Sequence, residues 1–365
     1  MNTFFRKLRR GAGGCLGLAA VALFTGCHSI GPHTITNDRF DYSSAIADSW
    51  KQQTLLNIVK LRYMDLPVFV DVSSVVAGYS LQTGINAGGS FPANGNFGGT
   101  TATVCGSAIY TDRPTITYSP LTGQKFLHSL ITPIEPKNIF FMLQSGYAAD
   151  FVLALTVESL NGLHNRSATA GTVREADPEF IRVLQLMREV QMAGAVGMRV
   201  QENKDKTETA VMFFRRDNLP PEMLDKLAEI RRLLKVPADQ HQFNLVYTPV
   251  AGDDGELGVG SRSMLQIMSA MASYTDVPAA DLKDGRALPS LQSTNSVAKN
   301  VPVEIKCSKE KPADAFAAVH YRDQWFWVDD RDWRTKRAFT AIMFLFTMAE
   351  NTGDEKLPLV TIPAQ

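Results

Sequence analysis

Apolar residues along this chain recur first at helical spacing, in Ile46, Trp50, Leu55, Ile58 and Leu61 among polar neighbours. Side chains three or four apart share one helix face, so the spacing predicts a long first helix over Tyr42–Tyr63, ended by Pro67. The period then shortens. Val68 to Val76 is β-branched and partly alternating, which predicts a strand, and Thr115-Ile116-Thr117-Tyr118 predicts a second that stops at Pro120. Between them Gly84 to Gly106 is rich in glycine, with Asn94-Gly95 and Gly98-Gly99 pairs. It reads as a loop rather than a glycine-tolerant hairpin, because few large side chains are available to pack.

Further on, 125–131 and 138–146 read as short helices separated by Pro133 and Pro136, and 151–155 as either helix or strand. Pro178 opens an amphipathic helix with Phe180, Val183, Leu184, Met187 and Val190 on one face. Val196–Val200 and Ala210–Phe214 flank a polar stretch and predict a hairpin; Pro220-Pro221 precede a helix carrying Met223, Leu227, Ile230 and Leu234. Phe243, Leu245 and Tyr247 alternate as a strand. Gly258-Val259-Gly260-Ser261 reads as a turn before a helix in which Met264, Leu265, Met268 and Met271 line one side. Such a stripe is more often core filler than an adaptable binding face. The succession predicts an α+β fold, a mixed or antiparallel sheet with several amphipathic helices, in a globular region 39–365. The Pro-, Gly- and Ser-broken stretch 278–300 marks where two subdomains would meet.

The most distinctive segment runs from Val319 to Arg337. It predicts a hairpin turning near Asp323, with Trp325 and Trp327 on one sheet face and Phe326 and Val328 on the other. Asp330 or Asp332 then caps a helix with Phe339, Ile342, Met343, Leu345 and Phe346, since a carboxylate satisfies free backbone N–H groups at the positive end of the dipole. The apolar run Ala338–Ala349 is too short to span a bilayer, which takes roughly 20 residues.

The amino terminus carries a different signal. Arg6, Lys7, Arg9 and Arg10 precede an apolar stretch from Cys15 to Phe24, with no acidic residue before Asp38. That order predicts a secretory signal peptide over residues 1–26. Leu23-Phe24-Thr25-Gly26-Cys27 resembles the lipobox of bacterial lipoproteins, with Phe24 where leucine is usual. The resemblance implies cleavage before Cys27, a lipid thioether on its sulfur and acylation of the new amino terminus. His28 stands where an aspartate would retain the protein in the inner membrane, which by the same family rule favours the outer membrane. Residues 27–38 read as a lipidated tether. The segments Tyr42–Ser80 and His320–Glu350 are similar to stretches in bacterial envelope lipoproteins of unassigned function, and that likeness brings no catalytic residues with it.

Of the 37 Lys+Arg, four leave with the signal peptide, so 33 face 37 Asp+Glu in the mature chain. This balance gives no footprint for nucleic acid or anionic headgroups, and it assigns the membrane contact to the lipid on Cys27 alone. Beyond Cys15 and Cys27, two cysteines remain. Cys105 and Cys307 either pair in an oxidising compartment, closing a loop of about 200 residues, or stand as separate thiols.

No nucleophile elbow, zinc-protease motif or phosphate loop is present, no serine–lysine motif is accompanied by the partner motifs of a β-lactamase, and the six histidines are scattered singly. No cofactor or metal is expected, and the enzyme reading is the weaker one. Candidate chemistry concentrates in Tyr321, Arg322, Trp325, Trp327, Asp330 and Trp333. One reading makes these a glycan surface, aromatic faces stacking on sugar and carboxylates performing acid–base work. The other makes them core tryptophans, a cap, and aspartates paired with Arg322, Arg331 and Arg334. A third is a partner-binding patch, because Trp, Tyr and Arg dominate binding hot spots. Sequence therefore predicts a lipid-anchored envelope protein on the periplasmic face of the outer membrane with a structural or interaction role; the alternative is a peptidoglycan-binding or cell-wall-modifying protein.

Overall fold

A computed structural model of the chain describes residues 30–90, 101–121, 124–169, 172–202, 208–215, 219–253, 255–288 and 303–350. The signal peptide and Cys27 lie outside them. Contacts divide the chain into two units, one of residues up to 47 with 71–119 and the other of 48–70 with 120 onward. The division thus falls at the ends of a β excursion near the amino terminus. It does not fall at 278–300, whose residues 289–300 lie outside the described set.

The first helix, α1, spans Ile30–Arg62 and passes from one unit into the other. Most of the expected tether is therefore helical, with Gly31 and Pro32 in the first turn, where a missing N–H costs nothing. The strands that fall wholly or mostly in the first unit are β1 (Phe69–Val76), β2 (Tyr79–Ser90), β3 (Thr101–Asp112) and β4 (Thr115–Leu121), with β1 paired to β4 and β2 to β3. The glycine-rich stretch is thus largely a hairpin and not a loop. The β2–β3 ladder is antiparallel and unbroken from Tyr79↔Asp112 to Ser90↔Thr101. Small residues suffice there because the backbone ladder, not side-chain packing, joins the two strands. The tip between them lies outside the described residues. Tyr79 and Tyr110 stack 6.2 Å apart, and the Tyr79 hydroxyl donates to the Asp38 carboxylate on α1, which holds the phenol well above its ordinary range.

In the second unit, the carboxyl half of α1 buries Leu55, Ile58 and Val59. Two of its amides pair with extended backbone as a strand would. Asn57 exchanges bonds with Val68 N and O at 2.9 and 2.8 Å, and Gln53 with Val70 N and O at 2.7 and 3.1 Å. Next come α2 (Gln124–Ile131), α3 (Pro136–Gln144) and α4 (Ala149–Thr156), so the ambiguous run 151–155 is helix. They lead into β5 (Val157–Leu160), β6 (Leu163–His164), β7 (Ser167–Thr169) and β8 (Thr172–Arg174). The long α5 (Pro178–Met192) buries Phe180, Val183, Leu186, Met187 and Val190, packing between α4 and α6 (Pro221–Leu233).

The principal sheet has six strands in the order β6-β5-β12-β11-β10-β9, where β9 is Val196–Glu202, β10 Glu208–Phe214, β11 Gln242–Val246 and β12 Glu256–Ser261. It is mixed: β11 and β12 run parallel and the other neighbours antiparallel. The fold is α+β, as the periodicity predicts. The run 258–261 corrects the expectation of a turn, since it lies inside a buried strand. A Cβ on Gly258 would stand 2.2 Å from the Val250 carbonyl oxygen and one on Gly260 2.3 Å from Ser159 Oγ. These glycines serve close backbone approach, not bending.

Ser263 and Gln266 close a reciprocal capping box on α7 (Met264–Ala272), whose Met264, Met268 and Met271 are core. The short α8 is Ala279–Lys283. A three-stranded antiparallel sheet, β13-β15-β14, joins β13 (Lys306–Ser308), β14 (Ala315–Tyr321) and β15 (Gln324–Asp329), and α9 (Trp333–Glu350) follows it. Among the described residues no helix is long and apolar enough to cross a membrane.

Candidate functional site

Two faces of the β13-β15-β14 sheet divide the chemistry. Register sets Cys307 beside Phe326 and Phe326 beside Val319, and this inner face is buried, with Phe326 and Val328 wholly so. The outer face aligns Lys306, Trp327 and Ala318 in one row and Ser308, Trp325 and His320 in the next. Directly opposed residues share a face, so alternation from Phe326 and Val328 leaves both tryptophans half-buried on the open side.

Each indole there is engaged by its neighbours. Trp327 Nε1 donates to Ser308 Oγ at 3.1 Å, and the Lys306 ammonium stands 5.1 Å over the ring while pairing with Asp329 at 3.1 Å. The Lys311 ammonium stands 5.4 Å over Trp325, and His320 meets the same ring edge-on at 5.3 Å. Cations over indole faces are attracted by the ring quadrupole, about 0.5–1 kcal/mol each where water has access. The outcome is an aromatic face with a positive rim.

Tyr321 and Arg322 stand apart from that face. Arg322 and Asp323 form the hairpin tip with φ of 48° and 60°, left-handed conformations that suit glycine better. The tip is held from α1 and its end: the Tyr321 hydroxyl donates to Asp65, Arg322 donates to the same carboxylate at 3.1 Å, and the guanidinium lies 4.7 Å over Tyr63. Tyr63 donates in turn to Asp281 at 2.7 Å and meets Tyr321 edge-on. The Tyr321 bond, with Arg322 beside it, holds the Asp65 carboxyl below its usual range, and burial holds the phenols of Tyr63 and Tyr321 above theirs. These two predicted residues lock the hairpin tip in place.

The acidic cluster is likewise committed. Asp332, not Asp330, caps α9, accepting from Arg334 N at 3.1 Å and Thr335 N at 3.2 Å. Asp330 pairs with Lys336 at 2.7 Å, and Asp329 with Lys306. Trp333 begins α9 and is 60% exposed, with Arg337 5.0 Å over its ring. The structure thus brings Trp325 and Trp327 together on one face and separates them from Tyr321 and Arg322. It adds Lys306, Ser308, Lys311 and His320, which sequence reading missed. Alternation within β13 and β14 points to Lys306, Ser308 and His320, though β13 is too short to show a period, and Lys311, in the connection between the two strands, follows none.

Among the described residues no group of three His, Cys, Asp or Glu side chains could hold a metal. Cys105 is an exposed free thiol in β3 and Cys307 a half-buried free thiol in β13. Each sits in the ladder of its own unit, and the pairing left open by the sequence is not formed. Burial, with Asp276 and Asp281 nearby, pushes the Cys307 thiol up to about 11. Comparison with protein-family models, curated proteins and solved structures finds no match to this chain.

Proposed function

We propose that this chain is an envelope lipoprotein, lipidated at Cys27 and held by its acyl chains at the periplasmic face of the outer membrane, whose globular region docks another envelope protein. The anchor rests on the lipobox resemblance. The docking role rests on one observation: Trp325 and Trp327 share an open sheet face under the ammonium groups of Lys311 and Lys306. Half-buried tryptophans ringed by cations are the composition of a binding hot spot, where large flat groups lose little entropy on burial. Acid–base chemistry on glycan has weaker support, because Asp329, Asp330 and Asp332 already serve ion pairs and a helix cap.

A photo-crosslinking residue in place of the exposed Lys311, used in intact envelopes, tests this reading. One adduct of defined mass is expected, lost when Trp325→Ala and Trp327→Ala are combined in a domain whose circular dichroism is unchanged. Adducts no stronger than background would overturn it. Co-sedimentation with purified peptidoglycan that depends on the same two tryptophans would reassign the face to glycan. Palmitate labelling checks the anchor and should vanish in Cys27→Ser.

A further inference from the structure

The β2–β3 hairpin is not absorbed by that reading. From Val72 to Thr111 the chain has no Asp, Glu, Lys, Arg or His, and Asp71 and Asp112 bound the gap. Its two strands are 12 residues each and, among the described residues, pair only with one another. Register puts Leu81 opposite Tyr110, Thr83 opposite Ala108 and Ile85 opposite Gly106, all on one face. Gln82, Asn86, Ser107, Cys105 and Thr111 take the other, together with Ile109, which is 57% exposed and the one large apolar residue on that face. Leu81, Ile85 and Tyr110 are 49%, 75% and 56% exposed, so beyond the Tyr79 end, where Asp38 of α1 approaches, the apolar face is largely open among the described residues.

We propose that this hairpin is a membrane-spanning stave: its apolar face contacts lipid acyl chains, and its free strand edges pair with the same hairpin in further copies of this chain to close a β-barrel. Three observations converge. The first is length. A 12-residue strand rises about 40 Å, and a tilt near 45° projects it onto about 28 Å, the depth of a hydrocarbon core. The second is alternation: with Ile109 as the exception, apolar and polar positions alternate with period two and without charge, which is how a barrel wall facing lipid outside and water inside is written. Small residues on the polar side leave room for close neighbours, as at Gly84, where a Cβ would stand 2.9 Å from Ser107 Oγ. The third is the Tyr79–Tyr110 stack at the end where charge resumes with Asp112. Aromatic residues gather at that depth, where a ring meets lipid and its hydroxyl meets water. Backbone groups on an open edge cannot remain unpaired in hydrocarbon, so a two-stranded stave must recruit others. Barrels begin at about eight strands, which sets a minimum of about four copies.

The test uses the full mature lipoprotein in vesicles of phosphatidylethanolamine and phosphatidylglycerol. An environment-sensitive fluorophore is placed on Cys105, or at position 85 in an Ile85→Cys, Cys105→Ser chain. Quenching by spin-labelled lipid at position 85 and by aqueous iodide at Cys105 is the expected result. Equal iodide access at both positions, or no lipid quenching at position 85, would overturn the proposal. Ile85→Arg should lower the yield of cross-linkable oligomer in vesicles about 30-fold or more, whereas Asn86→Arg should change it less than about threefold. Because Ile85 is exposed, its replacement removes no core contact, and a folding defect does not supply the same outcome. Oligomer yields that fall equally in both variants, or in neither, would count against the barrel.

Discussion

Asn161 makes one side chain answer for three separate segments. It is buried, adopts φ 48°, donates from Nδ2 to Leu234 O at 2.6 Å, and accepts at Oδ1 from Gly252 N at 3.0 Å and Gly258 N at 3.2 Å. These bonds tie the end of α6, the connection before β12 and β12 itself to the turn between β5 and β6. Asn161→Ala deletes all three and leaves their backbone partners without a replacement. At about 1 kcal/mol net per bond the loss is about 3 kcal/mol, and the left-handed backbone adds about 1 kcal/mol for a residue that lacks the local bonding of asparagine. The expected destabilisation is therefore about 4 kcal/mol. Asn161→Gly removes the same bonds but tolerates the conformation, so it should lose about 3 kcal/mol. Urea unfolding followed by tryptophan fluorescence measures both, with the slope checked for constancy between variants. An alanine variant within 1 kcal/mol of the parent would refute the reasoning. A glycine variant as stable as the parent would place the whole effect in backbone conformation.

Gly258→Ala should destabilise by about 3 kcal/mol, because its methyl would meet the Val250 carbonyl, a backbone atom that cannot swing away. Gly194→Ala, at φ +64° in open space, should cost only about 1 kcal/mol in the same urea assay. With its thiol raised to about 11, Cys307 should react with a maleimide slowly near neutrality and about tenfold faster per pH unit up to that point, whereas the exposed Cys105 is labelled promptly; mass spectrometry separates the two. The Asp65 carboxyl lies below its unfolded value, so the stability it confers is present above the ordinary carboxylate range and is lost as pH falls through the folded value. Asp65→Asn should flatten that acid limb by less than about 1 kcal/mol, since the carboxylate is partly exposed and screened. Urea midpoints between pH 3 and pH 7 measure the effect.

Helices were legible wherever one face is buried: Phe180, Val183, Met187 and Val190 repeat at helical spacing because α5 packs between two others. The inward Phe326 and Val328 were legible for the same reason at period two. Glycine was the main source of error. In Gly258 and Gly260 it marks close approach within a strand, and in β2 and β3 it thins side chains without breaking the ladder. The β5–β6 hairpin carried a readable cue in Asn161-Gly162, with φ 48° and 84°, the pair that a tight primed turn demands. At the candidate site the two tryptophans were legible from alternation. The partner of Tyr321 and Arg322 was not: Asp65 lies 256 and 257 residues away, and no local period carries such information.

The strand order also sets a timetable. β5 meets β12 through Leu160↔Val259, so a chain made from its amino terminus must wait about 100 residues for that partner, roughly 5–20 s at ordinary synthesis rates. Meanwhile β9 and β10 can zip locally, and β6 covers only one side of β5. The other side stays an open template for stray pairing until Ser261 has emerged. The segment from Ala149 to His164 is where a holding chaperone would have most to protect.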